Sequence, residues 1–320
     1  MGERIFFGAC NGIFYAVEKT SARVVWKYDI TRDGSQRSFH VNPVVDQGVI
    51  YVGCDYGQYF RNQNGVGHLY AFDLKTGAVK WKYRVALGVG SDPVLDDRDV
   101  FVITLDDELL SLKKDSGRLE WSFQREGAIR HLFPKAAPLV DRERLYVASG
   151  DGHFYALVKK TGRVIWQTGL DAGVYTSPTP AADSYYVITR NKTLYRLDKK
   201  SGEIKGSFSM PTGPSLAPLL DNGSLLIQSS RAAYALDPAR LSLRWTAELG
   251  SYMAGRFPVL NKECLIVATQ DGRIRCLRRD TGTAVWEYRV DSEITGGIAE
   301  SHGIVYVGTR AGAVYAIQLK

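Results

Sequence analysis

The chain has 320 residues, 45% of them hydrophobic and 23% charged, so it holds ample material for a core and is not a disordered polymer. A formal net charge of +7 and a pI near 9.1 lean toward acidic partners but fall short of a nucleic-acid-binding signature. No apolar run is long enough to span a membrane, and the chain opens Met1-Gly2-Glu3-Arg4 with no signal peptide, which leaves the compartment unknown.

The first predicted elements are three strands between Arg4 and Ile30, carrying the Asn11-Gly12 turn, Phe14-Tyr15-Ala16 and Trp26. Pro43 then opens an apolar stretch, followed by Val49-Ile50-Tyr51-Val52, Leu69-Tyr70-Ala71, Thr76-Gly77 and Trp81. This four-part series recurs. Pro93 leads to Leu109-Leu110-Ser111, Ser116-Gly117 and Trp121; Pro138 leads to Phe154-Tyr155-Ala156, Thr161-Gly162 and Trp166. Pro178 leads to Leu194-Tyr195-Arg196 and Ser201-Gly202, but Gly206 stands where Trp is expected. Pro218 leads to Ala233-Tyr234-Ala235 and Trp245, with Leu241 in the place of Gly, as Ala22 is before Trp26. Pro258 leads to Ile274-Arg275-Cys276, Thr281-Gly282 and Trp286. The last copy, Thr295 to Lys320, has Ile298 for the proline and ends on Ile304-Val305-Tyr306-Val307 and Val314-Tyr315-Ala316.

The runs are short, β-branched and aromatic, and Asp-Gly or Asn-Gly pairs separate them, so each repeat reads as four antiparallel strands, A to D. One such sheet cannot bury both faces alone; repetition around an axis packs each sheet on its neighbours, and one Trp per repeat supplies a large apolar plate for that contact. Three strands, six complete repeats and three more strands make 30. An all-β, eight-bladed β-propeller of four-stranded antiparallel blades needs 32 and accommodates two incomplete blades; seven blades, needing 28, is the alternative. The whole of 1–320 reads as a single propeller domain and a monomer. Cys10, Cys54, Cys264 and Cys276 show no metal-ligand spacing and read as small buried hydrophobes, with Cys276 at an inward Ala position.

The Tyr-Ala, Thr-Gly and Trp landmarks resemble the pyrroloquinoline quinone (PQQ) repeat with its tryptophan-docking motif, over essentially the whole chain. The resemblance implies the propeller fold. For function it spans quinoprotein alcohol dehydrogenases, which bind PQQ and calcium, and non-catalytic propellers similar to the lipoprotein of the outer-membrane β-barrel assembly machine. If a signal was removed, it implies a periplasmic or other extracytoplasmic location. The dehydrogenases resemble one another in a disulfide of adjacent cysteines and in large loop insertions; this chain has neither, so no cofactor is expected. Nucleophile-elbow, zincin and P-loop motifs are absent, and Asn191-Lys192-Thr193 falls on a turn of the repeat rather than a glycosylation loop.

The candidate site is therefore a surface. The longest departures from the repeat, 31–42, 56–66 and 126–135, are D-to-A or B-to-C connections, which emerge on one side of a blade. They carry Arg37, Phe39 and His40, then Tyr59 and Arg61, then Arg130 and His131; Tyr175, Tyr252 and Arg256 belong to other D-to-A connections. Arg with aromatics makes interface anchors, which predicts a protein or acidic-peptide partner. A PQQ- or small-anion-binding enzyme and a ligand-sensing domain are the alternatives. On the opposite side, Lys113-Lys114, Lys159-Lys160, Lys199-Lys200 and Arg278-Arg279 precede the C-to-D turns. They read as solvated turn residues in preference to a membrane or nucleic-acid contact.

Overall fold

A computed structural model describes residues 4–34, 38–55, 65–124, 136–174, 176–213, 217–254, 259–261 and 263–318, with only the backbone of 295–297. The fold is all-β, an eight-bladed β-propeller in which the described residues form 30 strands in six four-stranded and two three-stranded antiparallel sheets, blades 1 to 8 in chain order. The chain divides into two compact units, Met1–Ser177 and Pro178–Lys320. The first holds blades 1 to 4, the second blades 5 to 8.

The landmarks fall where their chemistry requires. Strand A begins directly after the proline, at Val44–Asp46, Val94–Leu95, Leu139–Val140, Thr179–Pro180, Leu219–Asp221 and Val259–Leu260. Proline cannot donate to a ladder, so pairing starts only beyond it and the strand stays short. Strand C faces strand D with the Tyr-Ala alanine opposite the Trp: Ala16 with Trp26, Ala71 with Trp81, Ala156 with Trp166 and Ala235 with Trp245. A register shift follows that alanine in each of these pairs.

The Trp side chain then reaches the next blade. The indole N–H of Trp26, Trp81, Trp121 and Trp245 donates to the carbonyls of Leu74, Lys114, Lys159 and Arg279, at 3.3, 2.8, 3.0 and 3.0 Å. Each acceptor lies three residues before the Gly of the next blade's Thr-Gly or Ser-Gly turn. That glycine is doubly required. Gly117 holds φ +68°, and a Cβ there would stand 2.6 Å from the Trp81 ring. Gly77, Gly162 and Gly282 repeat the arrangement under Trp26, Trp121 and Trp245. The buried clusters accordingly draw on two consecutive blades: Tyr51, Leu69 and Trp81 of blade 2 pack with Val100, Val102 and Leu110 of blade 3.

One cation from each of three basic pairs ties its blade to the one before. Lys114 of blade 3 bonds the Asp46 carboxylate of blade 2; Lys159 of blade 4 reaches Asp96 of blade 3 at 2.9 Å; Arg279 of blade 7 reaches Asp221 of blade 6 at 3.0 Å. Each cation meets the acidic residue that ends or follows the preceding blade's strand A. Burial alone would raise the Asp96 carboxyl, but hydrogen bonds from Lys159 and the Asp99 and Arg98 N–H groups outweigh it and hold the group below the ordinary carboxylate value. A depressed carboxylate stabilises the fold above its unfolded value near pH 4, and this is lost as pH falls through the folded value. Asp96→Asn keeps the oxygen for the turn and removes the charge. It is expected to cost about 0.5–1 kcal/mol at pH 7 and progressively less as the pH falls from the unfolded value through the folded one. Urea unfolding at pH 7 and in acid checks this; equal costs would refute the ion-pair role.

Cys264 and Cys276 differ from the sequence reading: they are disulfide-paired across strands B and C of blade 7, with Cα atoms 5.3 Å apart, inside the normal range for a bridge. Cys10 is exposed, since it stands in the turn before Asn11-Gly12, while Cys54 is buried.

Candidate functional site

Isolated bridges place the D-to-A and B-to-C connections together, as the repeat predicts. Ser38 pairs with Asp55, Val89 with Thr104 and Met253 with Thr269, in each case a residue just before strand A with one just after strand B. In the first unit the connection from blade 1 to blade 2 is built from its start. Asp29 caps the short 3-10 turn Ile30–Asp33 by accepting from the Thr31 N–H at 2.9 Å. The Asp33 carboxylate accepts from the Tyr28 and Tyr70 hydroxyls, at 2.7 and 2.9 Å, and from Lys82. Burial works against the charge, but these three bonds prevail and keep the carboxyl below its ordinary value. In return burial, then Asp33, pushes Tyr28 up to about 12.

Further along, Phe39 turns inward. It is buried against Phe14, with ring centroids 5.4 Å apart, and it covers Gly8, where a Cβ would stand 2.2 Å from its ring. Phe39 is therefore a core anchor and not a contact residue. His40 follows it, part-exposed, with Nδ1 2.6 Å from Oδ2 of the fully buried Asp55. Asn42 closes the segment by donating its backbone and side-chain N–H groups to the Asp92 carboxylate, at 2.7 and 2.9 Å. The His40 ring is thus presented from a tethered platform. Beneath it, the Cys54 Sγ accepts the His68 N–H at 3.3 Å, and burial pushes that thiol far above its ordinary value, which removes it as a nucleophile.

In the second unit, Tyr252 is 50% exposed and carries the Arg231 guanidinium over its ring, 4.2 Å from the centroid. Met253 beside it is held by its N–H on the Ser230 carbonyl at 2.9 Å. Of the nine candidate contact residues, His40 and Tyr252 are described and stand on the connections predicted for them. Arg37, Tyr59, Arg61, Arg130, His131, Tyr175 and Arg256 lie outside the described residues.

One positional signal escaped the sequence reading. A hydroxyl residue follows or ends strand B in six blades: Thr104, Ser149, Thr189, Ser229, Thr269 and Thr309. All are buried, and they pin the B-to-C turn. Thr104 Oγ1 donates to Asp106 at 2.6 Å and accepts from the Glu108 N–H, and Thr269 bonds Asp271 in the same way. Their spacing of 40 or 45 residues was visible. Cys54 takes this position in blade 2, whose connection is the longest of its kind. Among the described residues no three His, Cys, Asp or Glu side chains converge as metal ligands.

A sequence model of the family described as "Outer membrane protein assembly factor BamB" matches residues 10–143, 130–237 and 229–320. The assembly factor of that name from Moranella endobia is 22% identical over 303 residues, covering 91% of this chain and 76% of that protein. The one from Yersinia pestis is 27% identical over 195 residues, which cover 59% of this chain and less than half, 46%, of that protein. The crystal structure of BamB from Moraxella catarrhalis superposes with a TM-score of 0.77 at 17% identity, over 100% of this chain and 95% of that one, and so shares the fold.

Proposed function

The chain belongs to the family of the outer membrane protein assembly factor BamB, and from that premise we propose that it is a non-catalytic scaffold that binds a protein partner in outer-membrane protein assembly. The binding side we assign is that of the D-to-A and B-to-C connections, with Arg37, His40, Tyr59, Arg61, Arg130, His131, Tyr175, Tyr252 and Arg256 as contacts. One observation carries this choice: the half-exposed Tyr252 ring with Arg231 stacked on it, an aromatic–guanidinium pair held ready at the surface. Such pairs combine buried area with directed donors, as interface anchors do. The opposite side offers less, because Lys114, Lys159 and Arg279 there are engaged with acidic side chains of the preceding blades. The proposal includes work outside the cytoplasm, which the Cys264–Cys276 pair suits. It also includes function without PQQ or calcium; tight stoichiometric calorimetric binding of PQQ with calcium would favour the quinoprotein alternative.

The decisive experiment is co-purification with the outer-membrane assembly machinery of a Gram-negative host. The variant Arg61→Ala, Arg130→Ala, Tyr252→Ala, Arg256→Ala is expected to weaken the association at least about tenfold, the loss of one strong anchor. Its circular dichroism and unfolding midpoint should match the parent. Undiminished co-purification would reject the assigned side.

A further inference from the structure

The A-to-B and C-to-D turns of blade 4 enclose a cleft of about 440 Å³. Its described lining sets five cations, Arg142, Arg144, Lys159, Lys160 and Arg163, against one carboxylate, Glu143. Three other clefts at this end of the blades are near balance: four cations to three carboxylates at blades 2 and 3, five to four at blades 3 and 4, and three to three at blades 6 and 7.

The excess has a cause in the sequence. In blades 1, 2, 5 and 6 the residue four before the turn Gly, or before its substitute, is acidic: Glu18, Asp73, Asp198 and Asp237. Asp73, Asp198 and Asp237 each accept two N–H groups of their own turn. In blade 4 that position holds Val158. The cation just after the turn feels the difference. Arg23 of blade 1 bonds Glu18, and Arg118 of blade 3 bonds Glu120, both at 2.6 Å. Arg163 is their equivalent, but Val158 and Ile165 stand where those two acids would be. Both line the cleft, and Ile165 is 40% exposed.

Blade 4 thus exchanges the counter-ions of Arg163 for an apolar wall. Arg142, Lys160 and Arg163 are exposed, and among the described residues their side chains make no hydrogen bond or ion pair. Their backbone is nonetheless fixed. Asp141 Oδ1 accepts the Glu143 and Arg144 N–H groups at 3.0 and 2.8 Å. The Lys159 N–H ties the two turns together by donating to the Glu143 carbonyl at 2.9 Å, and the Gly162 N–H closes the second turn on the Val158 carbonyl at 2.9 Å. Like charges held on pinned turns raise the local potential, and an anion enters that field at little ordering cost.

We propose that this cleft binds a phosphate ester whose organic part is apolar. A phosphate monoester carries about −1.5 to −2 charges at pH 7 and three acceptor oxygens, so it answers three cations better than a single carboxylate does. Guanidinium and ammonium groups both recognise it, and the apolar part lies on Val158 and Ile165. The ester arrives either as the headgroup of a membrane lipid or as a soluble molecule. The site is at the other end of the blade from the connections assigned above, and neither reading needs the other.

The full chain is titrated calorimetrically with dihexanoyl phosphatidic acid below its micelle concentration, with inorganic phosphate and with hexaglutamate. Saturable binding of the lipid is expected, at least about tenfold tighter than that of phosphate. Ile165→Glu, which writes the acid of blade 3 into blade 4, should weaken it at least about tenfold, and so should Arg142→Ser with Arg163→Ser. Arg118→Ser removes a cation that is already paired and should change nothing. All these positions are exposed, so circular dichroism and unfolding midpoints should match the parent. Flotation with phosphatidylcholine vesicles, with and without phosphatidic acid, assigns the source: capture by the acidic vesicles names the membrane lipid, and soluble binding without capture names the free ester. Absence of saturable lipid binding would overturn the proposal, as would undiminished binding by Ile165→Glu and the double variant. Phosphate or hexaglutamate binding as tightly as the lipid would show that the cleft reads charge alone, and would overturn it too.

Discussion

Trp81→Ala is expected to lower the unfolding free energy by about 3–5 kcal/mol. Trp81 is 9% exposed, its N–H bonds the Lys114 carbonyl, its ring packs on Tyr51, and its other face rests on Gly117. Truncation removes the apolar plate between blades 2 and 3 and the shorter of two hydrogen bonds to the part-buried Lys114 carbonyl, which keeps only the Tyr51 hydroxyl at 3.3 Å. A double-mutant cycle with Gly117→Ala separates docking from general core loss. In the parent, Gly117→Ala meets both the left-handed backbone, about 1–2 kcal/mol, and the indole, about 1–3 kcal/mol. With Trp81 gone only the backbone term remains. Urea unfolding of the four proteins reads the coupling; a Gly117→Ala cost independent of Trp81 would show that the glycine serves the turn alone.

The cycle also marks the boundary of what the sequence discloses. Strand order and blade number followed from the spacing of Pro, Tyr-Ala, Thr-Gly and Trp, because each landmark obeys a rule local to a hairpin. That Trp26, Trp81, Trp121 and Trp245 sit on the following blade's glycine is a contact between residues 36–51 apart, and nothing local encodes it. The same holds for Lys114 and Lys159, which read as solvated turn residues because Asp46 and Asp96 belong to the blade before. On the loop side, the grouping of Arg with aromatics was legible as composition. Direction was not: Phe39 and His40 are adjacent, yet one fills the space over Gly8 and the other lies part-exposed on buried Asp55. Which way each turns depends on a hole and a carboxylate supplied by strands of blades 1 and 2.

The break at Gly206 shows the same dependence, and it supports the second large prediction. Blades 5 and 6 replace the Trp dock with three other side chains. Tyr186 donates its hydroxyl to the Pro238 carbonyl at 2.8 Å, the place an indole N–H takes elsewhere, and Arg196 donates to the Ala239 carbonyl at 2.8 Å. Leu241, buried and at φ +55°, stands where the turn glycine should be, its Cδ1 3.6 Å from where a Cβ on Gly206 would lie. The leucine occupies the volume that the indole leaves, and it keeps a backbone conformation L-residues disfavour. Gly206→Trp alone should therefore destabilise by about 1–3 kcal/mol, since the ring meets Leu241 and faces Arg196. Adding Leu241→Gly and Arg196→Ala recreates the dock of the other blades. The triple variant is expected to recover most of that loss, with indole fluorescence shifted to shorter wavelength by burial. Thermal unfolding of the single and triple variants decides the point. If the triple variant is no more stable than Gly206→Trp, the leucine is not a substitute for the tryptophan.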